Sequence, residues 1–364
     1  MTSTAQLTPD LTADAFAERL FSSTLATVEC LSVYVGDRLG WYESLAADGP
    51  ATPADLAGRT GTCERYAREW LEQQAVYGIL LTDPTDPERR YELPPGVREV
   101  LTDEHSLLYL GPLPRMFAAA GAHLPNLLDA YRTGGGVSWQ ELGADARESQ
   151  AAINRPWFER SLADALHGVA DIDEVLRRPG ARIADVGCGA GWSTLALARA
   201  YPEARVDGID VDAPSVEMAR GNAESESAEL AARVTFRLAD GATLAADDEY
   251  DAAFAFECLH DMPRPVEVLG AVRRAVRPDG LVVIMDEAVA DEFTAPGDDL
   301  ERFMYGASLL ICLPDGMSSR PSAETGTVMR RATLERYAAQ AGFKHVSVLP
   351  IEGFSFFRFY RLQH

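Results

Sequence analysis

Positive charge is scarce in this sequence. Lysine and arginine number 33 against 56 aspartates and glutamates, a net charge of −23, and Lys344 is the only lysine. Nucleic-acid affinity rests on neutralising phosphates with basic side chains, so this balance disfavours a polyanion as partner. It disfavours an anionic membrane surface for the same reason. Cysteine is sparse too. Cys30, Cys63, Cys188, Cys258 and Cys312 are odd in number and form no CxxC pair, which argues against a disulfide framework or a zinc site and for buried small apolar residues. Long apolar runs are missing: a stretch such as Leu281 to Met285 is far too short to span a bilayer. Met1 to Leu20 is polar and acidic, unlike a secretory leader. A cytoplasmic protein is the expectation. Repeats and low-complexity tracts are absent as well.

What remains is an ordinary globular composition, 47% hydrophobic over 364 residues, long enough for two domains. The character of the chain changes near residue 180. Before it, helical spacing dominates. Phe16, Leu20, Leu25, Val28, Leu31 and Val35 mark amphipathic helices over residues 12 to 47. Thr52 precedes Pro53 as an N-cap before a helix start. A second helix is expected from about Thr62 to Tyr77. Ile79 to Thr82 and Arg90 to Leu93 then read as two short strands around a turn-rich segment, giving the helix, turn, helix, hairpin order of a winged helix. Its second helix mixes Glu64, Arg65, Arg68, Glu69 and Glu72, so it offers no basic face. Residues 105 to 175 look helical with a break at Gly134 to Gly136. The expected domains are 1–104, 105–175 as a linker or lid, and 176–364.

From Ile183 the order becomes strand, glycine turn, helix, strand, helix, strand, which argues for a parallel sheet with helices on both faces. The strand Ile183 to Val186 runs into Gly187-Cys188-Gly189-Ala190-Gly191-Trp192, and a helix leaves at Ser193. Glycine permits the sharp turn and a close ligand approach, and the free N–H groups of the new helix face that ligand. Trp192 stands where a dinucleotide fingerprint has its third glycine, which weighs against NAD or FAD. The next strand ends in Asp210, 19 residues past Gly191, near the distance at which an acid reaches ribose hydroxyls. A carboxylate suits a diol because it accepts two hydrogen bonds. The third strand, Val234 to Leu238, is followed by Asp240-Gly241, placed to meet an adenine amine.

These residues, in this order, resemble the core of the class I S-adenosylmethionine-dependent methyltransferases. The resemblance implies an α/β, Rossmann-like fold with a seven-stranded sheet whose last strands form a hairpin, here Lys344 to Leu349 and Phe354 to Leu362. It also implies that Gly187, Gly189 and Gly191 line the methionine end of the cofactor, with Asp185 near its amino group.

The fourth strand, Asp251 to Phe256, enters Glu257-Cys258-Leu259-His260-Asp261-Met262. Residues at strand carboxyl ends face the ligand crevice of an open α/β sheet. Glu257, the first residue past this strand, joins the cofactor-binding candidates. The Leu259-His260-Asp261 segment is similar to that of small-molecule O-methyltransferases with an N-terminal winged-helix-like dimerisation domain. In those enzymes the histidine is the general base and a glutamate after the next strand orients it. Here that strand, Leu281 to Met285, ends in Asp286-Glu287, and Glu287 matches the family glutamate, with Asp286 beside it as an alternative. Met262 replaces the usual tryptophan. The family's second glutamate has no fixed counterpart, Glu301 and Glu324 being the candidates.

Residues 293 to 329, with Met304, Tyr305, Leu309, Leu310, Cys312, Leu313 and Met317, read as an acceptor pocket or as a helical core face. Trp139, Trp157 and Phe158 are further candidates for it. The expected function is O-methylation of a small hydroxylated metabolite of secondary metabolism, with no nucleic acid and no membrane as partner; the resemblance implies a homodimer. N- or C-methylation, or a winged-helix regulator that senses the cofactor, are the alternatives.

Overall fold

A computed structural model describes residues 12–245 and 250–364. The first eleven residues, part of the stretch read above as unlike a leader, lie outside it. No helix among the described residues is long and apolar enough to cross a membrane. The chain forms two compact units, Met1–Ala118 and Ala119–His364.

The first unit holds α1 (Ala13–Arg38), α2 (Trp41–Asp48), α3 (Pro53–Thr60), α4 (Glu64–Val76), β1 (Leu81–Thr82), β2 (Tyr91–Glu92), α5 (Pro95–Thr102) and the start of α6 (Pro112–Ala122). Thr52 caps α3 as its sequence predicts, accepting from Asp55 N while the Asp55 carboxylate accepts from Thr52 N. This reciprocal cap satisfies two donors that the helix cannot. The wing is shorter than the sequence suggests: only Leu81↔Glu92 and Thr82↔Tyr91 pair. On α4, Arg65 pairs with Glu69 and Arg68 with Glu64, so its arginines are answered within the helix.

The helix α1 departs most from its pattern. Its apolar stripe exists, but Phe16, Leu20, Leu25, Val28, Leu31 and Val35 are each at least 41% exposed, and Phe21 is 63% exposed. Only Val33 and Gly36 are buried. Trp70 Nε1 of α4 donates to Ser32 O at 2.9 Å, and a Cβ on Gly36 would run into the Trp70 ring. The helix therefore touches its unit along a narrow seam and turns its apolar face outward.

The second unit continues with α7 (Leu124–Thr133), α8 (Trp139–His167), α9 (Ala170–Leu176), β3 (Arg182–Val186), α10 (Trp192–Ala200), β4 (Arg205–Asp210), α11 (Ala213–Glu224), α12 (Ala228–Ala231), β5 (Val234–Leu238) and β6 (Tyr250–Phe256). Then come α13 (Pro265–Ala275), β7 (Val276–Glu287), α14 (Asp299–Ala307), α15 (Leu313–Met317), α16 (Arg331–Gln340), β8 (His345–Val348) and β9 (Phe357–Gln363). Seven strands make one sheet in the order β5-β4-β3-β6-β7-β9-β8. The first five run parallel and β9 lies antiparallel between β7 and β8, which is the expected terminal hairpin. Alternation divides the sheet between two cores. Ile183, Phe254 and Val283 face one, and Ala184, Ala253 and Val282 face the other. Burial on both faces explains why these strands read as continuous apolar runs.

The strand order reverses between β3 and β6. In open α/β sheets the ligand crevice lies outside the carboxyl ends of the strands at such a reversal. Asp185, Asp210, Asp240, Glu257 and Glu287 all sit at that edge or just past it.

Candidate functional site

The turn after β3 is built by glycine geometry. Gly187, Gly189 and Gly191 all have left-handed backbone, with φ of 75°, 52° and 80°, a region that side chains strain. They differ in what surrounds them. A Cβ at Gly187 would come within 2.6 Å of Cys258 Sγ, and one at Gly191 within 2.7 Å of Phe236. At Gly189 it would meet nothing within 4 Å. Gly187 and Gly191 thus pack against protein, while Gly189 presents bare backbone to open space, the surface a close-fitting ligand needs.

Asp210 pins this turn. Its Oδ2 accepts from Gly189 N and its Oδ1 from Asp212 N, both at 2.8 Å. Burial raises its pKa, opposed by these two N–H groups. Asp185 lies beneath, wholly buried. One oxygen accepts from the Ser193 and Thr194 hydroxyls of α10, both at 2.6 Å, and the other has no partner. Burial pushes its pKa up to about 6 from 3.8, against the pull of the two hydroxyls. The folded pKa lies above the ordinary one, so holding the charge in the fold is penalised at pH above about 6, and the penalty fades as pH falls toward 4. The difference corresponds to about 3 kcal/mol. Asp185→Asn is expected to raise urea stability at pH 7.5 by up to that amount, with a smaller gain at pH 4.5. An equal gain at both pH values would contradict it.

Asp240 and Gly241 sit past β5, but Asp240 is engaged. Its Oδ1 caps Ala242 N at 2.9 Å and its Oδ2 meets Arg264 Nη2 at 2.5 Å. An adenine amine at Asp240 would share it with that arginine. Gly241 is packed, a Cβ there reaching Val186 at 2.8 Å.

Past β6 the backbone turns through Glu257, which has φ of 51°, a conformation rare for a residue with a side chain and common where function imposes strain. Its carboxylate accepts from Asn154 Nδ2 of α8 at 2.6 Å. Burial pushes its pKa up to about 7, opposed by Asn154, by the charge of His260 and by Gln150. Three residues on, His260 is 2% exposed. Its Nδ1 lies 2.8 Å from Asp286 Oδ1 and 3.2 Å from Glu287 Oε2, and its Nε2 lies 3.1 Å from Asp261 Oδ1. Burial alone would favour the neutral ring. The surrounding carboxylates Asp261, Glu287 and Asp286 outweigh it and raise the pKa of His260. Its two partners on β7 divide in character. Burial raises Glu287, whereas Asp286 is lowered because the charge of His260 and the hydrogen bonds it accepts outweigh its own burial. Of the two, Asp286 makes the shorter contact to the ring.

The structure thus gathers His260, Glu287 and Glu257 near one strand end, and Asp185, Gly187, Gly189, Gly191 and Asp210 around the adjacent turn. Glu301 is committed elsewhere: its carboxylate pairs with Arg330 at 3.0 Å and accepts from Ala290 N. Glu324 is exposed and pairs with Arg320. Trp157 and Phe158 belong to the core rather than a pocket, packing on Phe354 and Phe256 at 5.6 and 5.5 Å. Trp139 reaches the site through its backbone, donating from N to Asp315 Oδ1 at 2.7 Å. Burial and the charge of Asp261 push Asp315 up to about 7. Cys312 ends a π-helical turn, Ser308–Cys312, a distortion frequent at functional sites. Asn154 and Asp315 carry no local signal in the sequence. They are found only when the helices fold over the strand ends.

Comparison with known proteins agrees with this architecture. Residues 177–312 match a family described as a methyltransferase domain, and residues 27–103 match an Rv2258c-like winged HTH domain. An uncharacterised 37.1 kDa protein in a transposon of Streptomyces fradiae is 30% identical over 318 residues, covering 84% of this chain and 78% of the relative. The chain belongs to the methyltransferases that carry an N-terminal winged-helix domain. It is also similar to the methyltransferase GfsG of Streptomyces halstedii, 39% identical over 111 residues, which are 30% of this chain and 39% of that protein's length. Among solved structures it resembles the mitomycin 7-O-methyltransferase MmcR, with a TM-score of 0.73 at 21% identity over 97% of this chain and 99% of the other. That likeness establishes the shared fold.

Proposed function

We propose that this protein methylates a hydroxyl group of a small organic acceptor, with S-adenosylmethionine as donor and His260 as general base. The observation that carries the reading is the setting of His260: a buried imidazole at the crevice, its Nδ1 held by carboxylates on β7. S-adenosylmethionine supplies an activated methyl group, so the protein's task is to position the acceptor and remove its proton. Nδ1 facing Asp286 leaves Nε2 toward the acceptor side, where an incoming hydroxyl takes the place of Asp261. The acids that raise the basicity of the ring also favour its protonated form, so transfer draws on molecules whose Nε2 is free. Asp286 and Glu287 orient the ring and stabilise its charged form. Gly187, Gly189 and Gly191 would hold the methionine end, Asp210 the ribose, and Asp240 with Gly241 the adenine. Asp185 and Glu257 would answer positive charge at the amino acid end.

The test is direct. Purified protein given S-adenosylmethionine and a panel of phenols and hydroxylated polycycles should form S-adenosylhomocysteine with at least one of them. Turnover confined to amines, and undiminished in His260→Gln, would assign the reaction to nitrogen instead. We infer a place in the secondary metabolism of the cytoplasm.

The working unit we infer is a homodimer. The helix α1 supplies both an exposed ridge, through Leu20, Leu25 and Leu31, and one wall of an apolar groove of about 560 Å³, through Val28, Val35 and Leu39. A two-fold interface needs one surface complementary to itself, and neighbouring exposed large apolar side chains rimmed by polar residues are what such a contact covers. Sedimentation equilibrium should return about twice the 39.5 kDa chain mass, and Leu20→Glu with Leu31→Glu should return a single chain. A wild-type monomer at micromolar concentration would refute this.

A further inference from the structure

On its acceptor side the base His260 stands among two further donors that the proposed reaction gives no chemical role. His260, a carboxylate oxygen of Asp261 and Cys312 Sγ offer one ligand atom each, all within 4.8 Å of one another. The Nε2 of the ring lies 3.1 Å from Asp261 Oδ1. Apart from that ion-pair contact the oxygen is buried without a hydrogen-bond partner, and Thr327 Oγ1 has none either. The three residues come from two segments: the loop after β6 and the π-helical turn before α15.

Nitrogen, oxygen and sulfur donors in this number are the partners of a borderline-soft divalent cation. Zinc binds them at about 2.0–2.3 Å, which places tetrahedral ligand atoms about 3.4 Å apart. The 3.1 Å contact already lies near that spacing. Three protein ligands with a fourth position open is the pattern of an exchangeable zinc site rather than a closed structural one. Harder cations such as magnesium prefer all-oxygen shells. Asp261 retains 33% side-chain exposure, giving an ion a route from solvent. On the other side of the ring, the Nδ1 contact with Asp286 fixes its orientation, as an outer carboxylate does for metal-bound histidines. Asp315, which feels the charge of Asp261, supplies a further outer carboxyl group.

We propose that His260, Asp261 and Cys312 form a zinc site that silences the enzyme by capping the base. Zinc on Nε2 occupies the lone pair that an acceptor hydroxyl would meet, so methyl transfer stops while the ion is bound. This consequence rests on His260 acting as the base; the site itself does not. Spacing along the chain hides the site, because two ligands are adjacent and the third lies 51 residues past the second, with no paired motif.

Cobalt(II) titrated into the full-length protein, without S-adenosylmethionine, reads the site independently of turnover. The expected result is the intense visible bands of a four-coordinate ion, with a near-ultraviolet thiolate-to-metal band that zinc displaces. Cys312→Ser should abolish the thiolate band even though Cys30 and Cys63 remain exposed, and Asp261→Asn should weaken binding by about tenfold or more. A thiolate band that survives Cys312→Ser, or no band at all, overturns the site. In turnover assays, zinc should inhibit, a chelator should restore the rate, and Cys312→Ser should need about tenfold more zinc for half-inhibition relative to its own uninhibited rate. Cobalt bands that depend on Cys312 together with zinc-insensitive turnover would overturn the silencing. A protein with no methyltransferase activity at all would leave the cobalt result standing, which separates failure of this inference from failure of the assigned reaction.

Discussion

His260→Ala is expected to lower the rate of methyl transfer by about 10²- to 10⁴-fold while calorimetry shows S-adenosylmethionine still bound. The size follows from the role: a positioned base contributes that range, and no other side chain among the described residues combines burial at the strand ends with a carboxylate-held ring nitrogen. Alanine carries a second effect. Removing the ring leaves Asp286 buried at 1% exposure without its cationic partner, and breaking such a pair costs about 3–5 kcal/mol. His260→Gln separates the two effects, since its amide can still donate to Asp286 yet accepts a proton poorly. If the glutamine protein folds, binds cofactor and transfers methyl groups at the normal rate, His260 is not the base.

The second large effect is predicted at the opposite end of the crevice. Asp210→Ala should weaken S-adenosylmethionine binding by about 100-fold or more. Two charge-assisted hydrogen bonds to a diol are worth about 3 kcal/mol together, and every 1.4 kcal/mol is about tenfold. The structure adds to this, because Asp210 also holds Gly189 N. Its loss unpins the residue that faces open space in the turn. Asp210→Asn keeps one acceptor and should fall between alanine and wild type. Titration calorimetry giving the same affinity for all three would remove Asp210 from the cofactor site, and with it the main support for the donor reading.

Local signals made most of the catalytic unit legible. The central parallel strands β3, β6 and β7 carry apolar runs because both their faces are buried there, and all five parallel strands end in, or lead within two residues to, a glycine or an acid at the crevice. The turn from Gly187 to Gly191 needs its conformation whatever surrounds it. What escaped the sequence depends on closure in three dimensions. The apolar spacing of α1 announced a helix with an apolar face, but periodicity cannot say whether the partner of that face lies in the same chain. Trp157 and Phe158 follow a glycine break and precede the sheet, which suggested a pocket. Their rings instead fill the core beside Phe354 and Phe256. Glu287 was reached through a family pattern, whereas the shorter contact belongs to its neighbour Asp286, a difference of one strand residue that only register resolves. Asn154 holds Glu257 across 103 residues, and nothing near either residue announces the other.

The reversal of strand order between β3 and β6 has a consequence for how such a protein diversifies. Donor candidates from Asp185 to Gly241 lie along or just past β3, β4 and β5, and only Glu257 follows β6, whereas His260, Asp286 and Glu287 lie past β6 and on β7. The two groups meet along a single strand pair, Ile183↔Ala252 to Asp185↔Phe254. Substitutions in the segment after β7 can therefore reshape what is methylated while the grip on the methyl source stays as it is, so that new acceptors become accessible through changes in one length of chain.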